Sequence, residues 1–227
     1  MERVDSCIVQ VLQLSSNAIG PDGVKALAPH LRRMVALREL NLGYNGICGD
    51  GIKLLTAAPA SSPGSTPLTA LSSYPDGPGA PLDTNPRDTT VTLLQLSKLA
   101  FRCNALHAEG ARALAPCLTA MSNLQTLDLH SNYIGPAGAG TLSEYLAAMP
   151  GLKALHLGLN IIGDVGAVSL APGLKAMHML QTLTLCDNGI SAVGVAALAG
   201  SLCELANLQV CSHDLMYLER GVLLHTH

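Results

Sequence analysis

Apolar positions along the chain follow two interleaved rhythms. A Leu-x-Leu pair, as at Leu127 and Leu129, alternates apolar and polar in the manner of a short strand with one buried face. Shortly after it, Leu142, Leu146 and Met149 follow at spacings of four and three, the apolar stripe of a helix. The pair of rhythms returns in the same order along most of the chain. Strand, turn and helix repeated in this way predict a parallel sheet with helices on one side, an α/β solenoid.

An Asn closes each strand, at Asn17, Asn45, Asn104, Asn132, Asn160 and Asn188. The intervals between them are 28, 59, 28, 28 and 28 residues, and the long one reads as two periods plus three. The clearest unit runs Leu124, Leu127, Leu129, Asn132, Ile134, Gly138, Leu142, Leu146, Met149. The next repeats it as Leu152, Leu155, Leu157, Asn160, Ile162, Gly166, Leu170, Leu174, Met177. A sharp turn after a strand leaves buried backbone donors and acceptors unpaired, at ~1–3 kcal/mol each. An Asn side chain donates and accepts at once, so six stacked Asn residues are expected to form a ladder that satisfies the turn. The Gly six positions after each Asn is expected to let helix and strand approach closely. A unit of this size cannot bury enough apolar surface alone, so stability belongs to the stack.

These residues resemble the ribonuclease-inhibitor-like class of leucine-rich repeats, which includes ribonuclease inhibitor, the Ran GTPase-activating protein and the repeat regions of immune receptors. The six Asn at the ladder position and the constant period look most like the Ran GTPase-activating protein type. The resemblance implies a curved solenoid with its parallel sheet on the concave face and helices on the convex face. It implies no catalytic residue, because no local motif matches one position by position.

The pattern breaks over residues 56–91, where seven Pro (Pro59, Pro63, Pro67, Pro75, Pro78, Pro81, Pro86) stand among Ser, Thr and Gly. Pro59 occupies a helix-Leu position, where it lacks a donor and clashes with the preceding turn. The composition predicts a disordered or loosely ordered loop in place of about one repeat. The expected organisation is therefore two repeats (1–55), the insert (56–91), four repeats (92–207) and a degenerate tail (208–227). In the tail, Cys211, His213 and Met216 stand where Leu, Leu and Asn are expected. Neither end carries the polar cap that terminal repeats need, so the chain is expected to be part of a longer array or to have an altered end.

Composition narrows the function. The formal net charge is −3 and no Lys/Arg run exceeds two residues (Arg32, Arg33), so nucleic-acid binding has no electrostatic footprint. Seven Cys without a C-x-x-C pair, no signal-like N-terminus and no long apolar stretch predict a cytoplasmic (or nuclear) protein with reduced thiols and no membrane partner.

Candidate site residues lie between the strand leucines. The central column reads Gln13, Asn41, Ala100, Asp128, His156, Thr184, and the next reads Ser15, Gly43, Arg102, His130, Gly158, Cys186. Beyond them lie Ser16, Tyr44, Cys103, Ser131, Leu159 and Asp187. Neighbouring strands sit ~4.8 Å apart, so residues of one column touch. Asp128, His156 and Thr184 offer an acid, a base and a hydroxyl, but an open sheet supplies no oxyanion hole, so no catalytic site is expected. Asp128 is instead expected to pair with His156. His130, His156 and Cys186 lack metal-ligand spacing, the pair His225 and His227 lies on the tail, and Gly135, Gly138 and Gly140 lack the Lys of a phosphate loop, so neither a metal nor a cofactor is expected. Cys48, Cys117 and Cys203 read as small apolar fillers. The reading is a non-enzymatic scaffold that binds another protein through Tyr44, Arg102, Asp128, His130, His156, Thr184 and Asp187. Regulation of a small GTPase, or a detached piece of an immune receptor, are the alternatives.

Overall fold

A computed structural model describes residues 8–31, 33–56, 93 and 95–211. Seven strands, β1 (Val11–Gln13), β2 (Glu39–Asn41), β3 (Lys98–Ala100), β4 (Thr126–Asp128), β5 (Ala154–His156), β6 (Thr182–Thr184) and β7 (Val210–Cys211), form one sheet in chain order. Every pair is parallel and the central Leu of each strand faces the next, Leu12 to Leu40, Leu99, Leu127, Leu155 and Leu183. Helices α1 (Gly20–Leu31), α2 (Cys48–Thr56), α3 (His107–Ala120), α4 (Gly135–Leu146), α5 (Gly163–Lys175) and α6 (Ala192–Cys203) alternate with the strands. The architecture is the open α/β solenoid expected from the two rhythms.

The core is one layer per unit, built from the repeat positions. Leu127, Leu129, Ile134, Leu142 and Leu146 are closed to solvent within 1%. Met149 is also buried, although it lies beyond the end of α4, so the four-then-three stripe runs past the helix into the descending turn. Burying each such side chain contributes ~2 kcal/mol. At the first unit Val9, Leu12, Leu14, Ile19 and Leu27 are only partly buried, since no described unit lies against that side, whereas Leu31 is closed to solvent.

The ladder satisfies the turns between successive units. Asn132 Oδ1 accepts from the Asn104 backbone N–H at 2.9 Å, and its Nδ2 donates to the carbonyls of Phe101 (2.9 Å), Leu129 (3.0 Å) and His130 (3.2 Å). Asn45, Asn104, Asn160 and Asn188 repeat this arrangement, each binding its own strand end and that of the unit before. Asn17, at the open end, bonds only its own unit through its side chain, to Leu14 and Ser15.

The glycine after each Asn has a different neighbour from the one expected. A Cβ on Gly166 would meet Cγ2 of Ile162 at 2.5 Å and Cα of Pro136 at 3.0 Å. The missing side chain therefore lets the Ile of the same turn, and the start of the neighbouring helix, close in; the strand is not the partner.

The sheet passes directly across the Pro-rich interruption. β2 pairs with β3 directly, and Asn45 N–H donates to Asn104 Oδ1 at 3.1 Å across a sequence separation of 59. Leu93, buried with 4% of its surface exposed, stands three residues before Leu96, as Met121 stands before Leu124. The long interval is thus a single unit that carries inserted chain, not a missing unit. Lys53 bridges Asp50 (3.0 Å) and, on α3, Glu109 (3.2 Å), tying the two sides of the insertion together. Thr56, placed at the start of the insert by sequence, ends α2 and bonds the Ile52 carbonyl at 2.9 Å. Residues 57–92, Arg32 and the tail from 212, with His213, Met216, His225 and His227, lie outside the described residues. The unit opened by Leu208 does supply a strand, with Gln209 N–H donating to the Gln181 carbonyl at 2.9 Å.

Candidate functional site

The sheet's pleat sends one side of each strand into the core and leaves the other open, so the columns stand on one face. Asn41, Ala100, Asp128, His156 and Thr184 are successive partners across β2 to β6. The column therefore runs unbroken over the insertion, and Tyr44 joins the same surface as the later units: its backbone N–H donates to the Arg102 carbonyl at 2.7 Å.

Asp128 and His156 do not form the expected pair. The Asp128 carboxylate turns back to accept the His130 backbone N–H at 2.9 Å, as Asn41 does for Gly43 at 3.0 Å. A short acceptor at the strand end reaches the backbone donor two residues on with little loss of freedom, and this local bond wins over the cross-strand one. The His156 ring instead meets the Thr184 hydroxyl, 3.2 Å from Nδ1. Acid, base and hydroxyl are thus not relayed, and the arrangement lacks the geometry of nucleophilic catalysis.

Arg102 and His130 form the electrostatic centre of the face. Partial burial works against the Arg102 charge, but the Tyr44 hydroxyl, Cys103 and Asp128 outweigh it and raise its pKa. Burial, with Arg102 next to it, lowers the His130 pKa; Asp128 and Asp187 pull the other way without prevailing. The face therefore sets the Arg102 guanidinium and an imidazole whose charged form is disfavoured beside Asp128 and Asp187. A Lys98–Glu39 pair at 2.9 Å continues this pattern on the strand side.

Gly158 stands between two residues of its own column and leaves room for both. A Cβ there would lie 2.5 Å from Cys186 Sγ and 2.7 Å from His130 Nδ1. His130 and Cys186 share one column, and both lean into the gap between them. Of the three cysteines read as fillers, only Cys117 is one; burial pushes its thiol up to about 11, with Thr56 opposing. Cys48 is partly exposed and Cys203 exposed. Among the described residues, no group of three or more His, Cys, Asp or Glu is arranged to hold a metal ion.

The rim where strands turn into helices adds Tyr133 and Ile161, which sequence reasoning passed over, to Tyr44 and Leu159, which it placed in the outer column. Tyr44, Tyr133, Leu159 and Ile161 are 51%, 52%, 43% and 62% exposed, and all four hold positive φ, between 54° and 57°. A left-handed backbone costs an ordinary side chain ~1–2 kcal/mol, and Ile161 is β-branched besides. Tyr133 stacks on His107 with ring centroids 5.6 Å apart. A signal was present in the sequence: the position after the ladder Asn reads Ala18, Gly46, Ala105, Tyr133, Ile161 and Gly189, so two units place large side chains where two others place the Gly that the backbone favours.

Comparisons with known proteins fit this geometry. A family description reading "Leucine Rich repeat" matches residues 6–28, 36–55, 120–143, 150–171 and 176–199. Among solved structures, the chain is similar to the tropomodulin C-terminal domain of Caenorhabditis elegans, with a TM-score of 0.54 and 12% identity over 80% of this chain and 92% of that one. No curated protein matches. The likeness to tropomodulin concerns the fold.

Proposed function

The chain belongs to the leucine-rich repeat family, and from that premise we propose that it is a non-enzymatic scaffold that docks a folded protein on the concave strand face. The observation that supports this is the unbroken register of β2 to β6, which sets Tyr44, Arg102, Asp128, His130, His156, Thr184 and Asp187 on one surface. Mixed charge beside exposed aromatic and aliphatic groups is the composition of a protein interface, in which a few central residues supply most of the affinity. The Tyr133–Ile161 rim borders that surface and extends it. The constant period and the all-Asn ladder support the ribonuclease-inhibitor-like class within the family. Free thiols at Cys48, Cys103, Cys117, Cys186 and Cys203 support a reducing, cytoplasmic setting.

The test is capture from native lysate with the wild-type chain and two variants, each first shown to be folded by its thermal transition. One carries Ala at Tyr44, Arg102, Asp128, His130 and His156. The other carries polar replacements on the convex face at Val165 and Val168. The expected result is a set of proteins retained by the wild type and the convex variant and lost from the concave variant. Retention by the concave variant, with loss from the convex one, would place the interface on the helices.

A further inference from the structure

We propose that His130 and Cys186 form a two-coordinate site for a soft monovalent cation of the copper(I) class, spanning the gap that Gly158 leaves between them. The site shares His130 with the proposed docking face, but metal binding does not depend on docking.

The argument begins with the column. Side chains two strands apart are ordinarily kept apart by the residue between them, since each strand adds ~4.8 Å. Gly158 removes that residue's side chain, and its own surface is buried beneath the two neighbours. Sγ of Cys186 and Nδ1 of His130 lie 2.5 and 2.7 Å from the same point, so they are no farther apart than the sum of those distances. A thiolate–metal–imidazole bridge with bonds of ~2.3 Å to sulfur and ~2.0 Å to nitrogen spans up to ~4.3 Å when linear. The upper bound exceeds that span by about 1 Å, a difference that rotation of the Cys186 and His130 side chains has to take up.

Ligand number selects the ion. His130 and Cys186 are not part of any described group of three or more ligating residues. A tetrahedral zinc site needs more protein ligands, and an oxygen-seeking cation finds no use for the sulfur. A thiolate with one imidazole suits a soft d10 ion that two ligands satisfy. The charges nearby permit it: Arg102 adjoins His130, and Asp128 and Asp187 lie within electrostatic reach of the same ring. With the thiolate, these carboxylates outnumber the single guanidinium. His156 also lies within electrostatic reach of the His130 ring, with its Nδ1 engaged by Thr184.

Binding leaves the metal's oxidation state unchanged. The Cys186 S–H bond breaks, its proton passes to solvent, and sulfur and Nδ1 of His130 each give an electron pair to the ion, with the imidazole proton held on Nε2.

The test is an anaerobic titration of the reduced full chain with copper(I), buffered by a chromophoric chelator, on the wild type and on Cys186→Ser, His130→Ala and Gly158→Val. Circular dichroism checks that each variant is folded. The expected result is a tightest step of one equivalent in the wild type that all three variants lose. Gly158→Val matters most, because it keeps both ligands and fills the space between them. A step lost only in Cys186→Ser would show a lone thiol and overturn the proposal, as would a wild type without such a step. If Gly158→Val does not fold, X-ray absorption of the copper(I)-loaded wild type replaces it. One sulfur and one nitrogen neighbour are expected, and a coordination shell of two or more sulfurs would overturn the site.

Discussion

At the residue scale, the ladder Asn is the side chain on which the turn depends. Asn132→Ala leaves the Asn104 N–H and the Phe101, Leu129 and His130 carbonyls without their partner in a buried setting. The loss is expected to be about 3 kcal/mol, the upper range for an orphaned buried polar group. Asn17→Ala, at the exposed end, is expected to cost under about 1 kcal/mol, because its side chain serves only its own turn near water. Urea unfolding of the two variants checks the contrast; equal losses would deny the ladder its cross-unit role. Ile161 sits at a φ of 57° where two other units have Gly. Ile161→Asn is expected to stabilise the array by about 1 kcal/mol, since Asn tolerates the left-handed region. The Asn role was legible from spacing and from the chemistry of an amide. The Asp128 turn and the Gly158 gap were not, because each depends on where neighbouring side chains swing once the backbone is fixed.

At the element scale, the helices are joined end to end by local devices. Asp164, at the start of α5, accepts from Ser191 N–H at 2.7 Å, from the Ser191 hydroxyl at 2.6 Å and from Gly194 N–H at 3.0 Å, so it caps α6 of the next unit. The Ser191 hydroxyl and its backbone lower the Asp164 pKa below the ordinary carboxylate value. A group depressed on folding contributes stability above its unfolded pKa and loses it as pH falls through its folded pKa. Acid titration of the thermal midpoint is therefore expected to show a drop below the ordinary carboxylate range that Asp164→Asn reduces. An identical profile in the variant would remove Asp164 from the account.

The packing of α4 against α5 depends on Gly173. Its N–H donates to Ser143 Oγ at 3.0 Å, and an added Cβ would meet the Ser143 backbone and side chain. Gly173→Ala is expected to cost about 1–3 kcal/mol in chemical unfolding, the range for overpacking a close contact. Element order and type were legible from the two periods. Close helix approach at one glycine was not, because nothing in the 28-residue pattern separates Gly173 from Cys117, which holds the same place in α3.

At the scale of the whole molecule, the sheet is continuous where the sequence is interrupted. The sequence registers only that 59 residues separate two ladder Asn, and two periods plus three is the simplest arithmetic for that number. The pairing of Leu40 with Leu99 and the bond from Asn45 to Asn104 show that no strand stands between the second and third units. Excising enough of residues 57–92 to restore the regular unit length is expected to leave the array folded and to raise its stability by up to about 2 kcal/mol, the closure entropy of a long loop. A loss of cooperative unfolding would contradict the direct stacking of the second and third units. Because the face is unbroken, the proposed interface extends from Tyr44 to Asp187 and is not confined to the last four units. Carbene footprinting of the chain, free and bound to a captured partner, tests this claim most directly. The account predicts reduced labelling at Tyr44, Arg102, His130, His156 and Asp187, with Val165, Val168 and Val193 unchanged. Protection on those helix valines, with the concave residues still labelled, would contradict it.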